Sequence, residues 1–237
     1  MPNFRKQRIA GWIVKSLFTL LIVAINVLIV WRVFFSANIP NSIGTLHVND
    51  ALREAYAENG GKITAQYQNQ LTTTYGENNT GYFGVPEYFF IPEANQVQVV
   101  FRYNNSTLKN VARDKGLEKV PDKSEDIFDV TLVTTTDLTP DKSDDNNNTA
   151  LLSMQRSWPS AVKRDETSLY TYYRFVFDNI EITPDMLYVF ADIYYTGDLN
   201  YEEPAYGTLC LYDDQSPWVT YKLSRTERKM LERREDE

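Results

Sequence analysis

Cysteine and histidine are almost absent from this chain of 237 residues: Cys210 and His47 are each the only one of their kind. A single cysteine excludes an intrachain disulfide, and its place in an apolar stretch predicts a buried structural thiol. One histidine and one cysteine fall short of the clustered ligands that a zinc site takes, so no metal is expected. A Ser–His or Cys–His pair would have to be built on His47, yet no nucleophile elbow or cysteine-protease motif is present. Glycine is sparse too, with ten residues, one Gly-Gly pair at Gly60-Gly61 and no phosphate-cradling loop. No cofactor is expected.

Positive charge is also short. The chain carries 24 basic and 32 acidic residues, net −8. Five of the basic residues lie in the first 35, which leaves 19 against 32, or −13, for the remainder. That sign disfavours binding to a phosphate backbone, so no nucleic acid is expected as a partner.

Long apolar runs are missing with one exception. SLFTLLIVAINVLIVW, residues 16–31, has no charged side chain. As a helix it covers ~24 Å, and the flanking apolar residues carry it past ~30 Å, the thickness of a bilayer core. Lys15 and Arg32 sit where long side chains reach headgroups, and Trp12 and Trp31 where indoles favour the interface. A cleaved secretory signal has a shorter core and a small-x-small site, whereas the nearest candidate here, Phe35-Ser36-Ala37, begins with a bulky Phe. The run is therefore expected to be a signal-anchor, with membrane contact through residues 12–35. Arg5, Lys6, Arg8 and Lys15 precede it with no acidic residue in the first 35, which predicts an inside N-terminus and an outside bulk. Asn26, mid-span, is either a tolerated amide or a hydrogen-bonding group for a second helix.

The organisation that follows is a basic cytoplasmic N-terminus (1–11), a transmembrane anchor (12–35), a polar connector (36–42), an extracytoplasmic domain (43–223) and a charged C-terminal helix or tail (224–237). DALREAYAE after Asn49 predicts one helix, stopped by Asn59-Gly60-Gly61, and residues 106–115 a second. Ser224 and Glu227 are spaced for a capping box at the start of the tail.

The rest reads as strands. VQVVFRYN (97–104) alternates apolar and polar residues and takes EYFFI (87–91) as a hairpin partner across PEANQ. IFDVTLVTTT (127–136), LYTYYRFVFD (169–178), MLYVFADIYY (186–195), YGTLCLY (206–212) and WVTYKL (218–223) continue the pattern, and ITAQYQ (63–68) is open between strand and helix. Many strands with few intervening helices predict an all-β, antiparallel β-sandwich domain with one or two short helices behind one transmembrane helix. The polar stretch TPDKSDDNNNTA (139–150) is expected to be a loop within one domain.

Acidic pairs, the other source of hydrolytic chemistry, occur at Asp144/Asp145, Glu202/Glu203 and Asp213/Asp214. None stands out as a buried acid with a partner, and the near-match to a calcium loop from Asp141 lacks its Gly and its final Glu. The chain is not expected to be an enzyme.

What the sequence does offer is a surface. If the two strands around NIEITPD form a hairpin, Tyr170, Tyr172 and Arg174 on the first lie beside Tyr188, Phe190, Asp192 and Tyr194 on the second. Such an aromatic sheet face is a platform for a protein or glycan partner, unless a loop, a helix or the C-terminal hairpin covers it. The expectation is a membrane-anchored, non-enzymatic interaction or scaffold domain of a bacterial-type cell envelope. The alternatives are a tethered carbohydrate-binding module and a single-span component of a secretion or conjugation apparatus.

Overall fold

The computed structural model describes residues 3–68, 74–75, 83–135, 154–181, 188–203, 205–212 and 219–233. It divides into two compact units, Met1–Asn38 and Ile39–Glu237.

The first unit is one helix, α1 (Asn3–Ala37). Its segment Val14–Trp31 is long and apolar enough to cross a membrane, and none of that segment is buried within the protein. The exposed Leu, Ile and Val of this segment suit a helix whose solvent is lipid.

The second unit is mostly β. Its strands are β1 (Thr64–Gln68), β2 (Thr74–Tyr75), β3 (Phe83–Ile91), β4 (Gln96–Asn104), β5 (Phe128–Thr135), β6 (Met154–Ser157), β7 (Ala161–Glu166), β8 (Tyr170–Phe177), β9 (Tyr188–Tyr195), β10 (Gly207–Tyr212) and β11 (Val219–Thr220). They form two antiparallel sheets, one of six strands in the order β11-β1-β3-β4-β8-β7 and one of five in the order β2-β10-β9-β5-β6. The expected β3–β4 hairpin is present, with Phe90 opposite Val97, and Asn95 supplies the left-handed turn residue at φ 45°. β7 was not legible in the sequence because AVKRDE has no apolar period. It is an edge strand, where charge blocks further pairing.

One core serves both sheets. Val97, Val99, Phe101 and Tyr103 of β4 and Tyr173, Phe175 and Phe177 of β8 join Phe128, Val130 and Leu132 of β5 and Val189, Ala191 and Ile193 of β9. Phe128 reaches across the sheets to Phe83, with ring centroids 4.9 Å apart, and to Tyr103 at 5.0 Å. Each aromatic of this kind contributes about 1.5–3 kcal/mol by burial.

The six-stranded sheet is covered on its other face as well. The helices α2 (Asn41–Gly44), α3 (Asp50–Glu58) and α5 (Arg225–Glu232) lie there, whereas α4 (Leu108–Asp114) packs Leu108 and Val111 into the core between the sheets. Asn49 caps α3 by accepting from the Leu52 N–H at 3.1 Å. The capping box at Ser224 and Glu227 is formed. The tail is more than a solvated helix, because Leu231 joins Leu46, Leu52, Phe89 and Leu223 in a second apolar cluster. Buried Glu227 also accepts from the Leu46 N–H at 3.0 Å.

Candidate interaction face

The expected pairing of the strands on either side of NIEITPD does not occur. β8 lies between β4 and β7 in the six-stranded sheet, and β9 between β5 and β10 in the other. Both edges of β8 are already occupied, so β9 has no edge to join and continues the second sheet instead. The seven residues chosen from the sequence therefore divide into Tyr170, Tyr172 and Arg174 on one sheet and Tyr188, Phe190, Asp192 and Tyr194 on the other.

The β8 group is covered. The segment that follows α1 in sequence, from Ile39, lies over it, and Ile43, Val100 and Tyr172 form an apolar cluster with Ile39 and Tyr170 at its margin. Arg174, 1% exposed, donates from Nε to the Ile43 carbonyl at 2.6 Å and from Nη1 to Gln98 Oε1 at 2.9 Å. Its Nη2 stands 3.9 Å from Glu87 Oε2, an ion pair beyond hydrogen-bond range. Burial pulls the guanidinium down to about 10, with Glu87 opposing, so it stays charged at neutral pH. Gln98 fastens the same segment by accepting from the His47 N–H at 2.9 Å and donating to the His47 carbonyl at 2.8 Å. His47 is thus held as part of this cover.

The β9 group belongs to a different surface. Register places Asp129, Thr131 and Val133 of β5 beside Tyr194, Asp192 and Phe190 on the outer side of the five-stranded sheet. Phe190 is half-buried and Tyr194 is buried. The side chain of Tyr188, like that of Cys210, lies outside the described residues, as do residues 139–150 and 213–214. Arg156 of β6 spans this face. It donates to the Tyr194 hydroxyl, to the Tyr201 carbonyl at 3.2 Å and to Asp192 Oδ2 at 3.5 Å, and lies over the Tyr194 ring. Thr208 donates to Asp192 Oδ1 at 2.8 Å. Burial pushes the Asp192 carboxyl up, and the Thr208 bond and the Arg156 charge oppose it.

Two aromatics complete the face. Tyr201 packs edge-on against Tyr194 at 5.0 Å and against Trp158 at 5.8 Å, and its hydroxyl donates to Asp129. Burial first, and then Asp129, push that phenol up to about 12. Trp158 is 53% exposed, and among the described residues from Ile39 onward it is the only exposed aromatic side chain. Sequence reasoning passed over both residues because they lie in turns, outside any strand period. The available signal was a Trp in Ser157-Trp158-Pro159-Ser160, a bulky aromatic set in turn chemistry.

Chemically the face offers a flat apolar ring for stacking, beside an Arg–Asp pair whose hydrogen bonds are largely satisfied within the protein. Among the described residues no group of three His, Cys, Asp or Glu side chains converges as a metal site would require. No family model matches the chain, and no curated protein or solved structure matches it either.

Proposed function

We propose that the protein is a single-span cell-envelope protein, with its N-terminus inside and its domain outside, and that the domain works by binding and not by catalysis. The two sheets with their shared aromatic core are read as a β-sandwich. The observation that carries the binding reading is Trp158: an indole left 53% exposed in a domain whose other described aromatics are buried or half-buried. Exposing an indole forgoes burial energy, and Trp is enriched among the residues that anchor interfaces. The basic residues before the anchor, and the lack of any Lys or Arg between Arg32 and Arg53 after it, support the orientation.

A glycan ligand is the second reading, favoured by the Trp158–Tyr201 pair, whose exposed indole suits stacking on a sugar ring. Both readings are tested on the membrane-inserted chain. Protease added to intact spheroplasts is expected to digest the domain, and protection until lysis would overturn the orientation. Cell-wall glycan fragments titrated against tryptophan emission are expected to shift it in the native chain and not in Trp158→Ala. If no fragment shifts it, and a photo-crosslinker at position 158 also captures no envelope protein in intact cells, the binding face is rejected.

A further inference from the structure

The uncharged polar residues of α1 between Val14 and Trp31 are gathered on one side of it. Between Val14 and Trp31 the uncharged polar residues are Ser16, Thr19 and Asn26. At 3.6 residues per turn these three, with Trp12, Val23 and Val30, fall within about 80° of arc. Positions 12, 16, 19, 23, 26 and 30 step alternately by four and three, the repeat of a seam between packed helices. Ser16 and Thr19 are small, and a groove lined by Trp12, Lys15, Ser16, Thr19, Leu20 and Val23 runs beside them. Small side chains that let backbones approach, together with polar groups that bond across, drive helix association in lipid, where apolar burial gives no net drive.

Asn26 supplies the polar group. It donates one amide hydrogen to the carbonyl of Ile22 at 2.8 Å, and Thr19 likewise returns its hydroxyl to Lys15 at 3.0 Å. Among the described residues nothing takes the second amide hydrogen or the Oδ1 of Asn26. In hydrocarbon an amide left this way is costly, and no water is present to relieve it.

We propose that α1 associates with α1 of a second copy as a parallel pair along this seam, with the two Asn26 carboxamides hydrogen-bonded to each other. The choice of a second copy follows from topology. The same charge pattern orients every copy alike, so two copies run parallel and bring their Asn26 residues to one depth. A carboxamide holds both donor and acceptor, and so is its own complement across a two-fold axis. The domains, each near −13, oppose the pairing, which should tighten as added salt screens that repulsion.

The proposal rests on α1 spanning a membrane, and the test separates the two. The full chain carrying Cys210→Ser is reconstituted alone into phospholipid vesicles, with single cysteines at the seam (Val23→Cys, Val30→Cys) or on the opposite side (Leu21→Cys, Leu28→Cys). Seam cysteines are expected to crosslink under oxidation several-fold more than opposite ones, and equal yields overturn the seam. Energy transfer between labelled copies is expected to weaken in Asn26→Leu by roughly 3- to 30-fold in dissociation constant. An unchanged constant, or no transfer in the native chain, overturns the pairing while leaving the anchor intact. A chain that is extracted from vesicles by alkaline carbonate overturns both.

Discussion

Arg174 donates from Nε to the carbonyl oxygen of Ile43 at 2.6 Å, joining β8 to a segment 131 residues earlier in the chain. This contact puts a charged side chain under a lid made of the first residues of the domain. The same segment also covers three of the seven residues that strand alternation groups into one face, Tyr170, Tyr172 and Arg174. Three consequences can be measured on the unit that begins at Ile39.

Arg174 is paired and bonded while fully buried, so removing it leaves Gln98, the Ile43 carbonyl and Glu87 without their cation. Arg174→Ala is expected to cost about 3–5 kcal/mol, read as a fall in the urea midpoint. Replacing both charges, Arg174→Met with Glu87→Leu, should recover most of that loss, because apolar residues of similar volume need no desolvated partner. A double variant no more stable than Arg174→Ala would mean that the Ile43 and Gln98 hydrogen bonds, and not the buried charge, hold the lid.

Tyr172 and Phe190, which strand alternation alone groups together, are expected to behave differently. Tyr172 is 0% exposed beneath Ile43, and Tyr172→Ser should cost about 3–5 kcal/mol through the cavity it opens. Phe190 is half-buried on the other sheet and should cost less than half as much when changed to Ser. Thermal melts of the two single variants check this, and equal losses would contradict the half-buried placement of Phe190.

His47 gives the domain a dependence on pH. Burial holds its imidazole below the ordinary value of 6.5, Asp178 pulls it back up, and Arg174 and Lys163 lower it further. Below about 6.5 the unfolded chain therefore takes up the proton more readily than the folded one. Stability from this group is complete above that pH and declines as pH falls through the window beneath it. A series of melts between about pH 8 and 5 should show the decline, and His47→Gln should flatten it. An unchanged slope in His47→Gln would assign the effect to another group.

The long apolar helix, the capping box and the faces of the strands are local properties, and the sequence by itself determined them. The uncharged run with its apolar flanks is long enough for a bilayer, Ser224 and Glu227 meet within one helical turn, and Val97, Val99 and Phe101 share a side because a strand alternates. Which strands meet is not local. The period of β8 shows that Tyr173 and Phe175 point one way and Tyr172 and Arg174 the other, but it does not say that β4 and β7 have taken both edges and sent β9 to a second sheet. Nor does it reveal that residues 39–48, too short and mixed to carry a period, would bury the second side of β8. Those outcomes depend on distant contacts: the β4–β8 pairing joins residues 66 to 80 positions apart, and Arg174 meets Ile43 across 131. The same is true of the surface that remains: Trp158, Tyr201 and Arg156 come from a turn, a loop and a short edge strand, and only packing around Tyr194 and Asp192 brings them together.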